Sequence, residues 1–158
     1  MNKLLFIFLA IAIIFSACKK EEELATTNNP IFVEEFNCMV DGASLSSTEI
    51  TISNLSDNLS IVAVNENTSV SLNLPSISSR YSGSTIVFSS PGLGFITIGS
   101  DTYANTYFDA SKGEIEITSI NSSSSKISGT FFFESMHVDP TNFDKVNITS
   151  GSFSNISF

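Results

Sequence analysis

The chain has 158 residues, with 7 Lys+Arg against 16 Asp+Glu, one histidine and a formal charge of −9. Basic residues so few and scattered argue against nucleic acid as a partner, because phosphate binding needs clustered Lys and Arg. Only two cysteines are present, which excludes a disulfide framework.

Residues 1–17 open on Met1-Asn2-Lys3, continue as an apolar block from Leu4 to Phe15, and end in the small residues Ser16 and Ala17. That is the layout of a secretory signal peptide. The competing reading is a membrane-spanning helix, and length decides against it. Roughly 14 residues at about 1.5 Å each reach about 21 Å, short of the roughly 30 Å of hydrocarbon in a bilayer. Cys18 follows directly, and the stretch "FSAC" resembles the bacterial lipobox, with Phe15 in place of the usual leucine. The resemblance implies a thiol alkylated by diacylglycerol, cleavage before Cys18, and acylation of the freed amine. Two or more acyl chains anchor stably where one holds only reversibly, so Cys18 is expected to be a lipidation site that attaches the chain to a membrane. No catalytic role is expected of it.

Residues 18–30 continue as "CKKEEELATTNNP", charged, polar and closed by a proline. Too little apolar surface is present to offset the entropy of ordering, so the segment reads as an acidic tether. Acidic residues just after a lipidated cysteine also resemble the surface-export signal of Bacteroidetes lipoproteins. That implies an outer-membrane protein, lipid-anchored and exposed at the cell surface. Loss of residues 1–17 removes one lysine and no acid. Electrostatic docking onto anionic lipid is therefore disfavoured, and the acyl chains are left to do the attaching.

Residues 31–158 are expected to form one domain, long enough to enclose a core and too short to divide. Ser, Thr, Ile, Val, Phe and Asn dominate, which are strand and turn formers. Period-two alternation recurs, and no window keeps a helical apolar pattern. "EEFNCMVDG" alternates Phe36, Cys38 and Val40 before an Asp41-Gly42 turn. Cys38 reads as a small buried apolar residue. "TEITISN" and "LSIVAVN" follow, then "SVSLNLP" with Val70, Leu72 and Leu74 inward and Pro75 stopping the ladder. "STIVFSSPG" and "GFITIGS" are expected to pair, and "TYANTYFD" is a weaker extended stretch. The clearest prediction is a hairpin in "GEIEITSINSSSSKISGTFFFES", with Ile127, Gly129, Phe131 and Phe133 on one face and Phe132 on the other. The last stretch gives Val146 and Ile148, a Ser-Gly turn, then Phe153 on a final strand.

Strands at intervals of about 8–15 residues predict an all-β domain, read as a single antiparallel β-sandwich. A closed lipocalin-like β-barrel is the alternative, because single-face alternation serves either design. The motifs F-x-C-x-V-D-G (Phe36 to Gly42), I-S-G-T-F-x-F and V-x-I-T-x-G-x-F-x-N-I resemble a family of small Bacteroidetes lipoproteins of unknown function. The resemblance implies a β-rich secreted domain and carries over no activity.

Chemistry is thin. His137 lies near Asp139 and Asp144, but zinc needs three or four N or S ligands. Asp139, Asn142 and Asp144 make a sparse version of a calcium loop, and Asp139-Pro140 as a turn opener is the simpler reading. No serine sits in a nucleophile elbow. Glu114 and Glu116 share a strand face, the spacing of paired glycosidase acids and equally of a solvated edge. No catalytic residue, cofactor or metal is expected, and the chain is read as a non-enzyme. The leading expectation is a surface binding or interaction module whose partner is a glycan or another envelope protein, with Tyr81, Tyr103 and Tyr107 as the aromatics to stack on sugar. The alternative is a carrier of a small apolar ligand in a barrel lumen lined by some of the 14 phenylalanines.

Overall fold

The computed structural model describes residues 33–158 apart from 48, 89–91 and 106–111. Residues 1–32, with the expected signal peptide, Cys18 and the tether, lie outside the described residues, as does Tyr107.

Eleven strands occur among the described residues: β1 (Glu35–Val40), β2 (Ala43–Ser47), β3 (Glu49–Leu55), β4 (Asn58–Asn65), β5 (Thr68–Leu74), β6 (Thr85–Val87), β7 (Gly94–Ile98), β8 (Asp101–Asn105), β9 (Gly113–Asn121), β10 (Lys126–His137) and β11 (Lys145–Ser157). Nine of them follow the order β2-β1-β11-β10-β8-β7-β5-β4-β3, and β9 joins β10 to β6 as a side arm. These nine wrap 265° round one axis, and the edge strands β2 and β3 come within 5.4 Å of closing. The Asn65 amide donates to the Ser46 carbonyl at 2.6 Å, and the Ser47 hydroxyl donates to the Val64 carbonyl, so side chains bridge β2 to β4 across the seam.

The expected β-sandwich is therefore corrected to a nearly closed antiparallel barrel. Glycines and bulges on the two longest strands supply the physical reason. A Cβ on Gly129 would lie 2.5 Å from the Phe153 ring and 2.6 Å from the Glu116 carbonyl oxygen. One on Gly151 would lie 2.6 Å from the Phe131 ring. The β10–β11 register slips between Ile127 and Gly129 and again between Phe131 and Phe133. Bulges and covered glycines bend and twist strands sharply, which curls one sheet onto itself.

Other local expectations change for similar reasons. Ser150-Gly151 does not end a strand: Ser150 has φ 51°, and β11 runs through it as a bulge. The segments read as a β6–β7 pair separate, β6 pairing with β9 and β7 with β5 and β8. The polar stretch of β2 forms a strand that the alternation did not single out. The β9–β10 hairpin forms as expected, its turn held by Asn121 Oδ1 accepting from the Ser123 and Ser124 N–H groups.

The interior is filled. Phe131 packs on Phe36 at 5.0 Å between centroids and on Phe133 and Phe153 at 6.4 Å, while Phe133 packs on Phe88 at 5.3 Å. Each such ring contributes roughly 1.5–3 kcal/mol by leaving water, with offset aromatic contacts adding to it. At one end Ile77, in a short 3-10 turn (Ile77–Ser79), plugs the barrel beyond the Leu59–Leu74 rung. Its N–H donates to the Asp57 carbonyl at 2.8 Å. Near that end Glu34 Oε1 accepts from the Ser157 hydroxyl at 2.6 Å, the Ser157 N–H at 3.1 Å and the Lys126 ammonium at 3.2 Å. Burial pushes the Glu34 carboxyl up, and these three donors outweigh it, holding the group below the usual carboxylate range.

Candidate functional site

The opposite end of the barrel is built from turns: Asp41-Gly42 between β1 and β2, Glu66-Asn67 between β4 and β5, Gly99-Ser100 between β7 and β8, and the loop 138–144. Alternation that buries Ile96 and Val70 farther down carries Ile98 and Thr68 up to this rim. The result is a cup of about 280 Å³ with Val40, Leu45 and Ile98 as apolar lining and Asn65, Glu66 and Thr68 as polar lining.

Tyr103 stands one rung below Ile98, paired with Ile96 and with His137. Its residue exposure is 9%, and its ring meets the His137 ring edge-on at 5.1 Å. The hydroxyl makes no hydrogen bond among the described residues. Loss of solvent, and then the negative charges of Asp101, Asp144 and Asp41, push the phenol above its ordinary range. Three turns thus bring three carboxylates within electrostatic reach of one phenolic oxygen.

The neighbours of His137 are fixed. Its Nδ1 accepts the Asp139 N–H at 3.0 Å, and its Nε2 lies 3.9 Å from Asp101 Oδ1. No serine or cysteine side chain hydrogen-bonds it among the described residues. The sparse calcium motif is spent on its own loop: Asp139 Oδ1 accepts from the Thr141 N–H at 2.9 Å and the Thr141 hydroxyl at 2.7 Å, and Asn142 Oδ1 accepts the Asp144 N–H at 2.9 Å. Those Thr141 donors hold the Asp139 carboxyl below its usual range. Among the described residues no three His, Cys, Asp or Glu side chains converge as metal ligands.

The other residues singled out from sequence do not join this site. Cys38 is 3% exposed, and burial pushes its thiol up to about 11, the behaviour of an inert core residue. Tyr81 is 69% exposed on the β5–β6 connection, so Tyr81 and Tyr103 form no common platform. Glu114 and Glu116 border a groove of about 340 Å³ on the outer face, together with the half-buried Phe132. A recess of about 380 Å³ under Phe143, which is 76% exposed, also lies outside the barrel. Sequence reasoning missed Asp41 and Asp101 as site residues, since each reads alone as turn chemistry. Acids recurring at successive turns on one side of an alternating sheet are the signal that finds them.

No curated protein and no solved structure matches this chain. The profile of a domain of unknown function matches residues 28–157. That agrees with the coarse resemblance seen in the sequence, a small family without assigned activity, while the lipoprotein and Bacteroidetes parts stay expectations from the signal segment. With nearly the whole barrel inside that match, the chain belongs to the DUF6252 family.

Proposed function

We propose that this protein is a non-enzymatic ligand-binding module, held at a bacterial outer membrane by lipid on Cys18, whose barrel mouth receives a small, partly apolar molecule. One observation carries the binding half: the sheet wraps 265° and nearly closes. A curled sheet offers an end-on cup, where a flat sandwich offers a broad face better suited to another protein. This favours a small-ligand carrier over a surface interaction module. The phenylalanines expected to line a ligand-filled lumen pack on one another instead, which moves the ligand from the lumen to its mouth. A cup of about 280 Å³ suits a ligand smaller than a typical drug.

Native mass spectrometry of the full protein purified from its membrane tests both halves. A co-purifying small molecule, together with acyl mass on Cys18, is the expected result. Bare polypeptide carrying only acyl groups counts against the ligand, and an unmodified Cys18 overturns the anchor.

A further inference from the structure

We propose that the loop 138–144 and the recess beneath Phe143 form a docking surface for a protein segment that carries apolar side chains among basic ones. The inference goes beyond the ligand cup and does not rest on it.

Outward positions on an antiparallel sheet are ordinarily polar. Where β7, β8 and β10 lie side by side the outward row is instead Phe95, Ala104 and Met136, each half-buried and each opposite the next. Ala104 and Met136 line the recess of about 380 Å³ together with Val138, Pro140 and Phe143. Val138 is 55% exposed and Phe143 76%, and no large apolar side chain among the described residues is more exposed than Phe143. Contiguous apolar surface of this kind marks an interaction site.

The loop that carries the ring is braced at both ends. The Val138 N–H donates to the Thr102 carbonyl, the His137 N–H to the Asp144 carbonyl and the Asn142 N–H to the Asp139 carbonyl, each at 3.0 Å. The Asp139 carboxylate holds Thr141, and the Asn142 side chain holds the Asp144 N–H. A ring presented by a braced loop loses little freedom on binding, which suits it as an anchor.

Charge selects the occupant. Asp139 and Asp144 flank the ring in the loop and Asp101 stands beside His137, all three exposed. Lys145, the adjacent cation, pairs with Glu134 at 2.8 Å. A second copy would set the same acids against these, a like-charge contact that costs affinity. An anionic lipid surface is repelled likewise, and the chain enters the barrel at the other end, where Glu34 is bonded to Ser157. A basic segment meets neither objection: its lysines or arginines face the aspartates while an apolar side chain fills the recess against Phe143.

Titration of the folded full-length protein with the peptide acetyl-Lys-Leu-Lys-Leu-Lys-amide, and with the same peptide carrying Glu for every Lys, followed by NMR shifts, tests this. The lysine peptide is expected to shift Ala104, Met136, Val138 and Phe143 and to bind at least about tenfold more tightly than the glutamate peptide, with added salt narrowing the difference. Phe143→Ser should weaken it at least about fivefold and Asp144→Asn about threefold. Both positions are exposed, so the native spectrum should be kept, and Val138→Thr serves if Phe143→Ser loses it. Equal binding of the two peptides overturns the basic partner. Binding that Phe143→Ser and Val138→Thr leave unchanged overturns the anchor. Shifts at these residues that grow with protein concentration alone overturn the partner in favour of a second copy. Absence of shifts with either peptide overturns the docking surface, and shifts confined to Val40, Leu45 and Ile98 overturn the location while leaving the cup.

Discussion

The two ends of the barrel are made by the same strands and use them differently. Toward the plugged end the inward positions are Leu59, Leu74, Ile86, Ile117, Ile127 and Ile156, all at 4% exposure or less. Toward the mouth they become Ile98, Asp101, Tyr103 and His137, where side chains meet water and charge. Alternation along a strand sets which face a residue takes; distance from the plug sets whether that face is a core or a site. Apolar packing is therefore concentrated at one end and charged and polar side chains at the other.

The sharpest way to break this comparison is at the aromatic column. Phe131→Ala removes a ring that contacts three others and is expected to cost about 3–5 kcal/mol in denaturant unfolding. A loss comparable to that of any mouth substitution would mean the two ends are alike. Next, Gly129→Ala forces a methyl into Phe153 and the Glu116 carbonyl and should cost about 1–3 kcal/mol. The strain against the ring is expected to ease with Phe153→Leu, seen as positive coupling in a double-mutant cycle.

Glu34→Gln sharpens the comparison at a polar spot near the plugged end, with an expected loss of about 1 kcal/mol after allowing for partial exposure. Because the carboxyl of Glu34 is held below its ordinary range, its contribution is present above the unfolded-state pKa and fades as pH falls through the folded-state value. Stability measured against pH should therefore lose part of its acid limb in the variant. The smallest effect is expected at the mouth. Tyr103→Phe removes a hydroxyl that reaches solvent and should leave the denaturant midpoint closest to that of the parent protein. In a Tyr81→Phe, Tyr107→Phe background, the phenolate absorbance should appear above the ordinary tyrosine range of about 10. The sign follows from a raised value: the contribution of Tyr103 is intact below the unfolded-state pKa and is lost as pH rises through the folded one.

Much of the fold was legible in the sequence. Val70, Leu72 and Leu74, or Ile127, Phe131 and Phe133, declare their inward face by period two alone, and the serine-rich turn of the β9–β10 hairpin declares itself. Closure was not legible, because a pattern that says which side is apolar does not say whether that side meets a second sheet or its own far edge. The information lay in Gly129 and in Ser150-Gly151, and a serine before a glycine looks the same in a turn as in a bulge. The site was hidden for a different reason. Asp41, Asp101 and Asp144 lie at or beside three connections far apart in the chain, and only the wrapped sheet brings them to one end of the barrel.

The pairing of β1 with β11 sets an order of events during synthesis. The first strand made has its neighbour in the last one made, and Glu34 waits for Ser157 near the end of the chain. Contacts spanning nearly the full sequence form slowly, since loop closure must precede them. A nascent chain short of Lys145 lacks the partner of β1 and one partner of β10. The barrel is therefore completed only once β11 has been made, so β1 stays without this neighbour while all the strands between them are synthesised.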